Sequence, residues 1–209
     1  MRPAFVGMRA VYETAPVAFE PDGWEILRRM ATLPPAILAQ LRDGRTVRVR
    51  PIVPEDAARL REFHERLSTR TTRYRFFSPM RHLSPEFANR LTTVDFEKRF
   101  AFVVSEPGDD VIYGVGRFEA ESNRSGEVAF VVEDAMQGIG LGPLLLQRIV
   151  VQARKLGYER LTAIVLAENA QMLSIFRESD LTPEIHTVSD VTSVKMDIRE
   201  APQRGLAGG

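Results

Sequence analysis

The chain has 209 residues, 28 basic and 28 acidic side chains, zero formal net charge and no cysteine. Lacking cysteine, it has no disulfides, thiolate metal sites or cysteine nucleophiles, and its three histidines, His64, His82 and His186, have no metal-ligand spacing such as H-x-x-x-H. Balanced charge argues against a polyanion-binding surface, and 44% apolar against 27% charged residues is a globular composition, so neither nucleic acid nor disorder is indicated.

Residues 1–43 are punctuated by Pro3, Pro16, Pro21, Pro34 and Pro35 and read as an N-terminal extension. Gly7, Arg9, Tyr12 and Glu13 break the first apolar run, and nowhere do 18 apolar residues run together. A soluble, cytoplasmic protein with no membrane partner is therefore expected. A short helix is predicted over residues 23–32, with Trp24, Leu27 and Met30 on one face. A second, after Pro35, would carry Ile37, Leu38 and Leu41 and end at Asp43-Gly44.

From Gly44 to residue 198 the rhythm is that of an α/β (α+β) domain. Residues 46–50 alternate as a strand, and residues 56–67 carry Ala57, Leu60, Phe63 and Leu67 at helical spacing. Ser84-Pro85-Glu86 is a helix start, with serine cap, proline at the first position and an acid in the first turn, leading to Phe87 and Leu91. Residues 100–105 and 111–119 form a predicted hairpin. The apolar run within residues 126–133 predicts a central strand covered on both faces. A helix over 143–156 ending at Gly157, a strand over 160–166, a helix over 170–179 and a last hairpin from 185–188 and 193–198 follow. Residues 199–209 read as a frayed tail.

The chemistry gathers between Glu127 and Leu146. A strand leads into Gln137-Gly138-Ile139-Gly140-Leu141-Gly142, and a helix follows. Glycines free the backbone to turn tightly, and the unpaired N–H groups and positive dipole end of the helix suit a phosphate. A P-loop would need G-K-[ST] and a Rossmann turn a glycine at position 143; Pro143 excludes both.

This stretch resembles the GNAT acetyltransferase superfamily, whose Q/R-x-x-G-x-G/A motif lies between a buried strand and a helix. The element order over residues 45–198 is similar too. The resemblance implies a mixed, mostly antiparallel central sheet with splayed strands flanked by helices, and acetyl-CoA as co-substrate with no metal. It implies that backbone groups of Phe130, Val131 and Val132 pair with pantetheine and that amides from Gln137, Gly138, Ile139, Gly140, Leu141 and Gly142 bind pyrophosphate. Asn169 would contact the cofactor arm or cap the next helix. The tyrosine that the superfamily often places on that helix is Phe176 here.

Phe76-Phe77-Ser78-Pro79-Met80, Leu83-Ser84-Pro85-Glu86 and Leu91-Thr92-Thr93-Val94-Asp95 are similar to a segment of the bacterial protein lysine acetyltransferases. Their substrates, as the resemblance has it, are protein lysines such as those of acyl-CoA synthetases. Arg73-Tyr74-Arg75-Phe76-Phe77 otherwise reads as a basic-aromatic loop packed between helices. Glu127, ten residues before Gln137, is close to that branch's base position and is the candidate general base. Glu119 and Glu121 are alternatives, and Glu133 and Asp134 are expected to cap the turn. The expected reaction moves acetyl directly from acetyl-CoA to a primary amine in a ternary complex. A small-molecule amine acceptor, or a non-catalytic acyl-CoA-binding regulatory module, remains open.

Overall fold

The computed structural model describes residues 33–78 and 80–199. Short β-branched and aromatic runs form one eight-stranded sheet ordered β1-β2-β3-β4-β5-β6-β8-β7. Its strands are β1 (Ile37–Gln40), β2 (Thr46–Pro51), β3 (Arg99–Ser105), β4 (Gly114–Ala120), β5 (Ser125–Val132), β6 (Arg160–Leu166), β7 (Pro183–Val188) and β8 (Val191–Asp197). Helices α1 (Ala57–Arg66), α2 (Thr69–Phe76) and α3 (Pro85–Thr92) join β2 to β3. Helix α4 (Leu141–Lys155) joins β5 to β6, and α5 (Ala170–Arg177) joins β6 to β7. Among the described residues only β5 and β6 pair in parallel; every other ladder is antiparallel.

Residues 37–44 and 73–77 differ from the sequence reading. Residues 37–40 are a strand, not a helix, and Asp43-Gly44 turns a hairpin in place of ending a helix. Leu41 N–H donates to Arg45 O at 2.8 Å, and Gly44 takes φ 89°. The apolar spacing fits a helical face, but the free edge of β2 offers a ladder that a four-residue helix cannot match. An Asp-Gly pair between strands is itself a hairpin signal. The run Arg73–Phe77 is likewise the last turn of α2 and its C-cap, because Ser68 caps the helix by accepting from Thr71 N–H at 3.1 Å. The helix predicted over 23–32 and the tail from 200 lie outside the described residues.

Helix α4 packs across β3, β4 and β5. A Cβ at Gly116 would stand 3.1 Å from Leu145 Cβ and from Ile149 Cδ1, so the absent side chain lets the helix lie close on β4. Beneath it Phe100 and Phe118 stack at 4.5 Å between centroids, both fully buried. Each such side chain contributes roughly 1.5–3 kcal/mol through burial. On the helical side of β2, Arg50 donates twice to Asp56, at 2.6 and 2.7 Å, and so fixes the turn that begins α1.

Candidate active site

The glycine turn is built as its composition demands. Gly138 (φ 78°) and Gly140 (φ 110°) adopt left-handed backbone, and Gly140 is the N-cap of α4, which therefore starts at Leu141, two residues before the predicted position. None of the N–H groups of Gly138, Ile139, Gly140, Leu141 and Gly142 donates to a carbonyl or side chain among the described residues. Pro143 brings no N–H to the first turn. The result is a run of open backbone donors at the positive end of a 15-residue helix. Gly142 also serves packing, since a Cβ there would fall 2.4 Å from Ile175 Cδ1 and its bareness lets α5 approach α4.

The strand leading into this turn is paired along only part of one edge. β5 pairs with β4 from Ala120↔Gly126 to Gly114↔Val132. Its parallel ladder with β6 holds only Ser125↔Arg160, Gly126↔Leu161 and Glu127↔Thr162. Beyond Glu127 the strands part, leaving the β6-facing edge of residues 128–131 without a strand partner. Gly126, Val128 and Phe130 are buried, but Glu127 is exposed and Ala129 and Val131 only half-buried. The strand is central, yet not covered on both faces as its apolar run suggested, because its second face opens into a cleft under α1–α3.

A groove runs from this fork to the glycine turn, between α2 and α5. Phe130, Val131, Val132, Gln137, Gly138, Gly140, Leu141, Gly142 and Asn169 all line it. Ile139 does not: its carbonyl is turned to the β1–β2 hairpin and accepts from Arg42 N–H at 3.1 Å. Asn169 caps α5 by accepting from Met172 N–H at 3.1 Å. Phe176 is buried with its ring 6.1 Å from Phe130 and supplies no hydroxyl. Tyr74, which the sequence places in a basic-aromatic run, lines the groove from α2.

A polar network ties the turn to α2. Asp134 accepts from Ser68 N–H (2.9 Å), Ser68 Oγ (2.7 Å) and Thr71 Oγ1 (2.9 Å). Burial pushes its carboxyl up, but these donors outweigh that and hold it below the ordinary value. Glu133 pairs with Arg66 at 3.0 Å. Both acids thus bind α1 and α2 rather than cap their own turn. The side-chain amide of Gln137 donates to Val132 O (3.0 Å) and Thr71 Oγ1 (3.3 Å), closing the loop on itself and on α2. Arg73 on α2 meets Glu168, beside Asn169, at 2.9 Å.

Glu127 stands outside the groove lining, on the last paired rung of the fork. Glu119 is its cross-strand partner, and Glu121 accepts from Thr162 Oγ1 at 3.0 Å, so the three acids converge beside the fork. Although Glu127 is exposed as a residue, partial desolvation of its carboxyl, then the charge of Glu121, pushes its pKa up; Arg75 opposes and Glu119 adds to the rise. Arg75 and Arg117 lie in the cleft beneath α2, where burial, then the charge of Arg75, lower Arg117 to about 10. Among the described residues no group of three or more His, Asp or Glu is placed to hold a metal ion, and no helix is long and apolar enough to cross a membrane.

A parallel pair that parts beside a glycine turn, with a helix starting from that turn, is the arrangement of the GNAT fold. The chain belongs to that family: residues 46–182 match the acetyltransferase (GNAT) domain. An acetyltransferase of Pseudomonas aeruginosa is 34% identical over 136 residues, 63% of this chain and 73% of that protein. Acetyltransferase Pat of Mycolicibacterium smegmatis is 31% identical over 150 residues, 71% of this chain but 45% of that protein, so the chain spans less than half of its length. The solved GNAT domain of S. lividans PAT superposes with a TM-score of 0.72 at 33% identity, covering 78% of this chain and 96% of that one. The protein is an acetyl-CoA-dependent N-acetyltransferase of the GNAT type.

Proposed function

We propose that the protein transfers acetyl to the side-chain amine of a protein lysine, with Glu127 as general base. The observation that carries this is the fork itself: β5 and β6 separate just past Glu127, and the unpaired edge of β5 runs straight to the open N–H groups of the glycine turn. The described residues fit acetyl-CoA along that path. Backbone groups of Phe130 and the N–H of Val132, on the open edge of β5, pair with the pantetheine amides, whereas Val131 turns its backbone groups to β4; the N–H groups of Gly138 through Gly142 receive the pyrophosphate. Asn169, with its side-chain oxygen taken by the helix cap, offers its amide N–H groups to the arm.

Acetyl-CoA, when bound, supplies the activated thioester. Glu127 takes the proton of the incoming ammonium, and the neighbouring Glu119 and Glu121 favour a cationic acceptor at the mouth. A thiol of pKa ~8.5 leaves as thiolate near neutral pH, so the phenylalanine at position 176 is compatible with turnover. Transfer is direct, because no cysteine exists to carry the acetyl group. The likeness to Pat acetyltransferases supports a protein acceptor. The test measures CoA thiol release with an acyl-CoA synthetase, with polyamines and with amino acids. Release only with small amines would refute the protein acceptor, and CoA binding without release to any of them would favour a regulatory module.

A further inference from the structure

The glycine turn supplies neutral donors and a helix end worth about half a positive charge, whereas an acyl-CoA brings several negative charges on its pyrophosphate and 3′-phosphate. Backbone donors can solvate that charge but cannot neutralise it. Six arginines lie around the turn and its groove, and four are already engaged: Arg45 by Asp43 at 2.7 Å, Arg66 by Glu133 at 3.0 Å, Arg73 by Glu168 at 2.9 Å, and Arg75, half-buried, by the charge of Glu127.

The other two, Arg42 and Arg70, are exposed and line the groove, and neither guanidinium has a partner among the described residues. Arg42 is set in place by its own backbone, whose N–H donates to Ile139 O at 3.1 Å. Its Cγ lies 3.7 Å from where a Cβ of Gly140 would be, so its stem crosses the residue that caps α4. Arg70 opens the first turn of α2, next to Thr71, which bonds Gln137 and Asp134. We infer that Arg42 and Arg70 grip the phosphate groups of the acyl-CoA, as a clamp formed by the β1–β2 turn and α2. Arg42 precedes the residues matched by the family, 46–182, so this half of the clamp belongs to the β1–β2 turn just before them.

The guanidinium fork matches a phosphate's geometry and stays charged at any working pH. The inference rests on the glycine turn being the phosphate site. The test is calorimetric titration of the full chain and of Arg42→Gln and Arg70→Gln with CoA, 3′-dephospho-CoA and pantetheine. Each variant should bind CoA about tenfold more weakly at low salt, a change of about 1.4 kcal/mol, and bind pantetheine unchanged. The gap should close near 1 M salt, where the screening length is about 3 Å. A loss that persists with dephospho-CoA places the contact on the pyrophosphate; one that vanishes places it on the 3′-phosphate. CoA binding within twofold of the natural chain, or an equal loss with pantetheine, overturns the clamp alone. If the natural chain itself binds CoA no tighter than pantetheine, the phosphate site fails and the clamp fails with it.

Discussion

Replacing Glu127 by glutamine keeps the size of the side chain and removes its ability to accept a proton. A lysine amine with pKa ~10.4 must lose its proton before attack, which at pH 7 costs about 4.6 kcal/mol. A positioned base recovers roughly 10²–10⁴ in rate. Glu127 is fitted for this because partial desolvation and the charge of Glu121 raise its proton affinity, while Arg75 keeps the rise in check. With saturating acetyl-CoA, followed by thiol release, Glu127→Gln should lower kcat by about 10²–10³ and leave acetyl-CoA affinity within about twofold. The deficit should shrink by about tenfold per pH unit as pH climbs toward the amine pKa, since solvent then deprotonates the acceptor. In the natural chain, kcat/KM should fall as pH drops through the raised Glu127 pKa. A raised carboxyl pKa means that the fold disfavours the ionised form above it, so the variant should melt no lower than the natural chain. An unchanged kcat, or a deficit constant with pH, would refute Glu127 as the base.

Three other substitutions probe the frame of the site. Asp134→Ala leaves Ser68 and Thr71 without their shared acceptor; it should cost roughly 1–3 kcal/mol in urea unfolding and raise the KM for acetyl-CoA more than it lowers kcat. Because the Asp134 pKa is lowered, its contribution is full above 3.8 and is lost as pH falls through the folded value, and Asp134→Ala should flatten that acid limb. Gly126→Ala would set a Cβ 2.2 Å from Phe118 Cζ and 2.8 Å from Glu119 O, forcing β4 and β5 apart beside Glu127; a loss of roughly 3 kcal/mol by thermal unfolding is expected. Arg50→Met leaves Asp56, fully buried, without its bidentate partner and should cost about 3–5 kcal/mol. A melting temperature equal to that of the natural chain would refute either of the last two.

The helix caps and the glycine turn were legible before any coordinates. Ser84 accepts from Phe87 N–H at 3.2 Å as its S-P-E context demands, and Asn169 caps α5. Gly138 and Gly140 take the positive φ that their turn requires. The strand before that turn, the helix after it and the last hairpin were also readable from spacing. The Asp43-Gly44 signal was present too, but the helical spacing of Ile37, Leu38 and Leu41 outweighed it, and only pairing with β2 resolves the conflict. Arg42 and Arg70 carry no local pattern that marks them, and the basic-aromatic run around Tyr74 does not say where it packs, so their place along the groove was not readable.

Neighbouring residues settle where backbone must turn left-handed and where a hydroxyl or amide can cap a helix, and composition settles that no thiol can carry the acetyl group. Those outcomes depend on groups within about four residues of one another, or on composition alone. Tertiary structure decided that β5 and β6 pair for three rungs and then part, that Glu119, Glu121 and Glu127 meet there, and that Asp134 holds α2. It also gave Gly142, beside its open N–H, a part in helix packing against Ile175. Register and shared faces arise from contacts between residues far apart in the chain, and no local preference encodes them. The glycine turn could therefore be read from its own residues, whereas the fork that gives Glu127 its place exists only once the sheet has formed.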